Sequence, residues 1–180
     1  MVFHQKRLSR ELVYQGTILD IYKDKMELAN GNTEEWDFVS HRMGAACVLP
    51  VLEDGRVILV RQYRNALERE TLEIPAGCRD SVDEDTGLTA QRELEEETGY
   101  HSDDISFLVS INSAGAFCDE HIDIYVAKNL KAGEQHLDEA ESIDLEILDL
   151  KQVQKMIFDG IIQDSKTVAA IMSYACSAIS

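Results

Sequence analysis

The stretch PAGCRDSVDEDTGLTAQRELEEETGY, from Pro75 to Tyr100, ends in a run of glutamates that does not spread evenly around a helix. At 3.6 residues per turn, Glu93 and Glu97 lie almost above one another and Glu96 sits one step round, so three carboxylates share one side. Glu95 points to the far side. Ala90 and Leu94 keep the i, i+4 spacing of a packed stripe. Like charges at these spacings each cost a helix roughly a few tenths of a kcal/mol, so the cluster reads either as a solvated face or as a seat for a cation. The flanks bound the element: Pro75 and Gly77 mark a loop before it, Asp85 or Thr86 can cap its start, and Gly99 can take the left-handed stop conformation. Arg92 stands four residues before Glu96 and can pair with it or with an acid in the loop. Hard oxygen ligands on a rigid element, beside a glycine loop that permits close backbone approach, suit Mg²⁺ or Mn²⁺.

Working outward, the chain of 180 residues fits a single domain of ordinary size, and its 44% apolar residues suffice for a core without covalent staples. A formal charge of −17 and a pI near 4.5 oppose a nucleic-acid partner, because the field of the whole molecule repels a polyphosphate. A small phosphorylated substrate is compatible with that field only where a metal or clustered arginines answer it. Cys47, Cys78, Cys118 and Cys176 form no CxxC pair, which disfavours a zinc site. With no signal-peptide pattern and no apolar run long enough to span a bilayer, the expected setting is the cytoplasm, with free thiols and no membrane partner.

N-terminal to the acidic stretch, Leu12 to Met26 alternates apolar and polar residues around Gly16, and Asn30-Gly31 is the strongest hairpin signal in the chain. Ile18–Leu28 and Glu35–Ser40 are therefore predicted as antiparallel arms, with Trp36 and Phe38 on one face as a core pair, a dimer contact or a base-stacking surface. Gly44–Pro50 and Val57–Val60 read as strands joined by the turn Glu53–Gly55. Arg61 and Arg64, flanking Tyr63 at a strand end, are either surface charges answering nearby acids or a clamp for a diphosphate, whose oxygens match guanidinium forks. After the helix, ISFLVSI and Ile122–Ala127 read as strands, and the acid-rich segment beyond Leu130 as a mobile loop. Two helices follow, with Val153, Met156 and Ile157 and then Val168, Ile171, Met172 and Ala175 facing a core, broken at Asp159-Gly160 and with Asp164 or Ser165 capping the second.

RELEEETGY, Arg92 to Tyr100, preceded at the right interval by Glu84, resembles the box of the Nudix hydrolases. One residue more than that pattern separates Gly77 from Glu84, which reads as a loop insertion that leaves the helix intact. The resemblance implies an α/β fold, an α/β/α sandwich of Nudix type with a mixed sheet, spanning residues 42–180 behind an N-terminal antiparallel β extension, residues 1–41. It also implies a metal-dependent hydrolase whose Mg²⁺, or Mn²⁺, is held by Glu93, Glu96, Glu97 and Glu141 with the Ala76 carbonyl. Arg92, Glu96 and Glu97 would belong to the catalytic group. Glu139, with Glu141 next and Asp138 the weaker match, would swing in on the acidic loop as the base.

RQYR followed by LEIPAG is similar to the ADP-ribose pyrophosphatase branch, which implies ADP-ribose as substrate, with AMP and ribose 5-phosphate as products, and a homodimer that can be domain-swapped. In that branch Arg61, Arg64 and Glu120 would contact substrate, and Glu73 would help bind it across the dimer. Ser113-Ala114-Gly115 stands where the branch commonly has Ser-Pro-Gly, so another nucleoside diphosphate sugar or a dinucleotide is the competing substrate. A nucleotide-sensing module without turnover is a third reading.

Overall fold

Alternation along one strand divides the molecule into two layers. In β4, Ala45–Pro50, the side chains of Cys47 and Leu49 point to one face of the sheet and those of Ala46 and Val48 to the other, and all four are fully buried. A strand that is apolar on both faces has to be covered on both. The computed structural model describes residues 5–137 and 141–177 and shows what covers it.

The chain begins with β1, Lys6–Gln15, β2, Leu19–Glu27, and β3, Thr33–His41, an antiparallel sheet in the order β1-β2-β3. The predicted hairpin forms at Asn30-Gly31, where Gly31 has φ +84° and Glu27 pairs with Thr33. After β4 come β5, Arg56–Arg64, β6, Arg69–Glu73, and β7, Ala76–Cys78. The acidic helix follows as α1, Thr86–Thr98, and then β8, Tyr100–His101, β9, Asp104–Asn112, β10, His121–Lys128, β11, Lys131–Ala132, and β12, Ile143–Asp149. The chain closes with α2, Leu150–Phe158, and α3, Ser165–Ser177.

The central sheet, ordered β7-β4-β10-β9, is mixed: β10 runs parallel to β4 and antiparallel to β9. On one face Ala90 and Leu94 of α1 close over Ala46, Val48 and Ala127. On the other, Val153 of α2 and Ala170 and Ile171 of α3 join Cys47, Leu49, Ile122, Ile124 and Val126 in the larger cluster. A second, antiparallel sheet, β12-β5-β6, contributes Val57, Leu59 and Leu72 to the same cluster. The expected α/β/α sandwich with a mixed sheet and an N-terminal antiparallel sheet is the architecture observed.

Two readings change. Trp36 and Phe38 are not core: Trp36 is exposed, and Phe38 packs on the Tyr22 ring beneath the Arg10 guanidinium. The acid-rich segment is not loop throughout either. Its C-terminal part is β12, paired along its length with β5 from Ile143↔Gln62 to Asp149↔Arg56.

Candidate active site

The two ends of α1 are fixed as the sequence predicts. Asp85 Oδ1 accepts the Gly87 N–H at 2.9 Å, and Gly99 stops the helix at φ +71°. Thr86 Oγ1 donates to Asp123 Oδ2 on β10 at 2.8 Å, pinning the first turn to the sheet. Because Ala90 and Leu94 face the sheet, the neighbouring Glu93 and Glu97 are turned toward β7 and the loop before it. Both are buried, Glu96 is half-buried and Glu95 is exposed.

Backbone, not side chain, forms the wall opposite these carboxylates. Glu97 Oε2 accepts the Ala76 N–H at 3.2 Å. Glu93 lies so close to Gly77 that a Cβ there would stand 2.1 Å from its Oε1, so only glycine leaves room for the carboxylate. Arg92 Nη1 donates to Glu93 Oε1 at 2.7 Å and to Glu96 Oε2 at 3.1 Å, while its Nη2 donates to the Cys78 carbonyl at 2.9 Å. Burial pushes the Glu93 carboxyl up to about 7 against the pull of Arg92, and the charges of Glu96 and Glu141 push the same way. Glu97 is pushed up to about 8 by burial and by the charge of Glu93, with the Ala76 N–H opposing.

The extra residue ahead of Glu84 is absorbed in a turn in which the Glu84 N–H meets the Ser81 carbonyl and the Glu84 carboxylate accepts the Asp80 N–H at 2.6 Å. Arg79 braces the same loop by donating to the carbonyls of Met43 and Val82. The helix is undisturbed.

The remaining candidates divide into three groups. Glu120 borders the cluster, 3.8 Å from His41 Nε2, whose ring also approaches the Cys78 thiol at 3.8 Å. Glu141 is close enough for its charge to act on both Glu93 and Glu97, and Arg64 close enough to lower the Glu97 carboxyl. Arg61 and Arg64 each grip a carboxylate of this chain: Arg61 holds Glu146 on β12, and Arg64 holds Glu73 through two hydrogen bonds, one of them 2.8 Å from Nε to Oε1. Glu73 is buried and held down to about 2: the hydrogen bonds and charges of Arg64 and Lys166 outweigh the cost of burial. Glu139 and Asp138 lie outside the described residues.

Sequence reading missed several parts of this arrangement. Asp119 Oδ1 accepts the His41 N–H at 2.8 Å and its Oδ2 accepts the Ser40 hydroxyl at 3.0 Å, stitching β3 to the loop that carries Glu120. Lys166 and Thr167, read only as part of a helix, reach Glu73 and the Ile74 N–H. No local pattern signals such contacts.

Among the described residues no three acidic, histidine or cysteine side chains are arranged as a ready metal-binding group. Arg92 takes oxygens of Glu93 and Glu96, and Glu97 is turned onto Ala76. The donor chemistry nevertheless fits a divalent cation. Two buried glutamates whose carboxyls burial pushes up despite Arg92 and Arg64, with Glu96 beside them and backbone approaching at Ala76 and Gly77, form an oxygen-only set.

Comparison with known proteins places the chain in a family. The NUDIX domain matches residues 40–170. The chain belongs to the Nudix family. It is 39% identical over 172 residues to the methanol dehydrogenase activator of Bacillus methanolicus, covering 94% of this chain and 92% of that protein. It is 34% identical over 169 residues to the ADP-ribose pyrophosphatase of Bacillus subtilis (strain 168), covering 93% and 90%. The ADP-ribose pyrophosphatase of Mycobacterium tuberculosis is 28% identical over 92% of this chain and 81% of its own. In fold, the chain superposes on a crystal structure of an ADP compounds hydrolase with a TM-score of 0.82, over 95% of this chain and 92% of that one, at 23% identity. As a Nudix protein it is a pyrophosphohydrolase of the divalent-metal-dependent kind. Among the described residues no helix is long and apolar enough to cross a membrane.

Proposed function

We propose that this Nudix enzyme hydrolyses ADP-ribose to AMP and ribose 5-phosphate, with Mg²⁺ as its working ion and the cytoplasm as its setting. The observation that carries the reading is the pair of buried carboxylates, Glu93 and Glu97, facing the backbone of Ala76 and Gly77, with the Arg64 guanidinium near enough to act on Glu97. Two relatives named ADP-ribose pyrophosphatase, matched over most of both chains, point to the same substrate.

Glu93, Glu96 and Glu97 would hold the ion, with the Ala76 carbonyl and Glu141. When bound, the ion neutralises phosphate charge and acidifies the attacking water. Arg92 keeps Glu93 and Glu96 in place by donating to both carboxylates. Arg64 and Arg61 would meet the diphosphate, and Glu120 the remainder of the substrate. A carboxylate from the acidic loop, Glu139 or Glu141, would take the proton from water. Glu73 supports Arg64 within one chain, and its role in binding substrate runs through that pair.

The exposed apolar residues of β1, Leu8, Leu12, Val13 and Tyr14, support assembly as a homodimer through the N-terminal sheet. Ala114 favours a second substrate reading, another nucleoside diphosphate sugar, because it replaces a rigid proline in the turn whose carbonyl receives the Phe117 and Cys118 N–H groups.

The test is product analysis with Mg²⁺ and with Mn²⁺ on ADP-ribose, other nucleoside diphosphate sugars, dinucleotides and nucleoside triphosphates, with Glu97→Gln in parallel. ADP-ribose should be cleaved best by the wild type and the variant should be inactive. Preference for another diphosphate sugar would favour the second reading, and nucleotide binding without cleavage would remove both.

A further inference from the structure

Lys166 is a lysine in the interior of the protein. Its side chain is 11% exposed, and Nζ donates to Glu73 and, at 2.9 Å, to Asp164 Oδ1. Burying an ammonium is costly unless carboxylates surround it, and here two do. Glu73 in turn serves three donors, Arg64, Lys166 and the Thr71 hydroxyl, the last at 2.6 Å. The four charged groups, two positive and two negative, balance.

The network is tied to the site at two further points. Asp164 Oδ2 accepts both the N–H and the hydroxyl of Thr167, and Thr167 Oγ1 accepts the Ile74 N–H at 2.9 Å. Ile74 lies two residues before Ala76, whose N–H holds Glu97. The first turn of α3 thus holds the chain on both sides of the peptide bond joining Glu73 to Ile74. Arg64, at the other end, uses Nε and Nη2 on Glu73; its Nη1 makes no hydrogen bond among the described residues, and its side chain is 38% exposed.

We propose that Lys166 is a positioning residue for substrate: by sharing the Glu73 carboxylate with Arg64, it fixes the Arg64 fork with one edge free for a phosphate oxygen. Without Lys166 the Glu73 carboxylate loses the contact that holds it to α3 and is free to turn together with Arg64, and Asp164 loses its counter-charge. With it, Glu73 is shared between two cations, and the Nη1 edge of Arg64 is left for a phosphate oxygen in a chain of net charge −17. This inference rests on the proposed diphosphate substrate.

The experiment measures kcat and KM for Lys166→Met and Lys166→Arg with whichever diphosphate the wild type cleaves best. It adds calorimetric binding of the same compound in EDTA, where no turnover occurs, and Lys155→Met as an exposed control. Lys166→Met should raise KM and weaken binding about tenfold while kcat stays within about twofold, as for loss of a ground-state contact to a charged group. Lys166→Arg, which can reach both carboxylates, should recover most of the affinity. Should Lys166→Met not fold, Glu73→Gln combined with Lys166→Met removes the most deeply buried unpaired charge, leaves Asp164 held by the N–H and hydroxyl of Thr167, and should show the same rise in KM. Unchanged KM, a fall confined to kcat, or no recovery with arginine would overturn the inference while leaving the proposed activity standing. A wild type that neither cleaves nor binds any of the diphosphates would overturn both.

Discussion

The carboxylate of Glu93 occupies the space that a side chain at position 77 would fill: a Cβ on Gly77 would lie 2.1 Å from Glu93 Oε1 and 2.6 Å from Oε2. The glycine of the loop and the glutamate of the helix are therefore one device. Gly77→Ala puts its methyl against the end of a flexible side chain and needs no left-handed backbone, so the fold can absorb it by swinging Glu93 away. If Glu93 holds the ion, activity should fall by about 10–100-fold, the range found when the surroundings that orient a metal ligand are changed. Stability in EDTA should hold, since the lost chain entropy of glycine offsets the displaced contact by about 0.4–1 kcal/mol. Activity assays beside urea unfolding measure both.

A second expectation concerns pH. In the metal-free protein Glu93 and Glu97 are pushed up to about 7 and about 8, above the usual glutamate value of 4.5, so the folded state binds more protons than the unfolded chain in between. Stability should be greatest below about 4.5 as far as these groups are concerned and should be lost as pH rises toward 8. Glu73 is shifted the other way, to about 2, so its contribution is complete above 4.5 and lost only as the pH falls toward 2. Thermal unfolding in EDTA between pH 5 and 8 should show a falling Tm, and Mg²⁺ should restore it most at the alkaline end. A Tm that rises with pH in EDTA would contradict the burial of the pair as charged groups.

The glutamates of α1 were legible because helical spacing alone sorts Glu93, Glu96 and Glu97 from Glu95, and because Asp85 and Gly99 announce the ends of the element. Asn30-Gly31 was legible for a similar reason, as a turn that only certain residues make. β12 was not: Ile143, Leu145 and Ile147 do alternate, but Leu145 and Ile147 are each 38% exposed, and the flanking acids blur the pattern. Lys166 was hidden more deeply. Its partner Glu73 is 93 positions away, and a lone lysine in an amphipathic helix looks like any solvated one. Arg61 and Arg64 show the limit of motif reading, since sequence offers nearby acids as one of two partners for the guanidiniums but does not single out Glu146 and Glu73.

Asp119 offers a third test. It joins β3 to the loop before β10 through the His41 N–H and the Ser40 hydroxyl, and the next residue is Glu120. Asp119→Ala should cost about 1–2 kcal/mol, because the two bonds are to a charged acceptor but lie at an exposed position. If Glu120 meets substrate, KM should also rise while kcat changes little. Urea unfolding and steady-state kinetics on one preparation separate the effects. An unchanged KM alongside the stability loss would confine Asp119 to holding the N-terminal sheet.

Assembly gives the last. β1 carries Leu8, Leu12, Val13 and Tyr14 at 45–60% exposure, on the outermost strand of a three-stranded sheet whose own core is small. An open edge bearing apolar side chains is a pairing surface that proteins otherwise guard with charge. Arg7 and Arg10 on the same strand are both drawn to Asp24 on β2, which leaves Lys6 and Glu11 as the remaining charges along this edge. Leu12→Lys adds a charge there without touching the buried layers, so the monomer should keep its fold. Sedimentation equilibrium should show the wild type as a dimer and the variant shifted toward monomer by at least about tenfold in dissociation constant, the cost of burying one unpaired ammonium being more than about 1.4 kcal/mol. Equal masses for the two would move the assembly surface elsewhere. Loss of activity accompanying dissociation would mean that one protomer completes the substrate site of its partner.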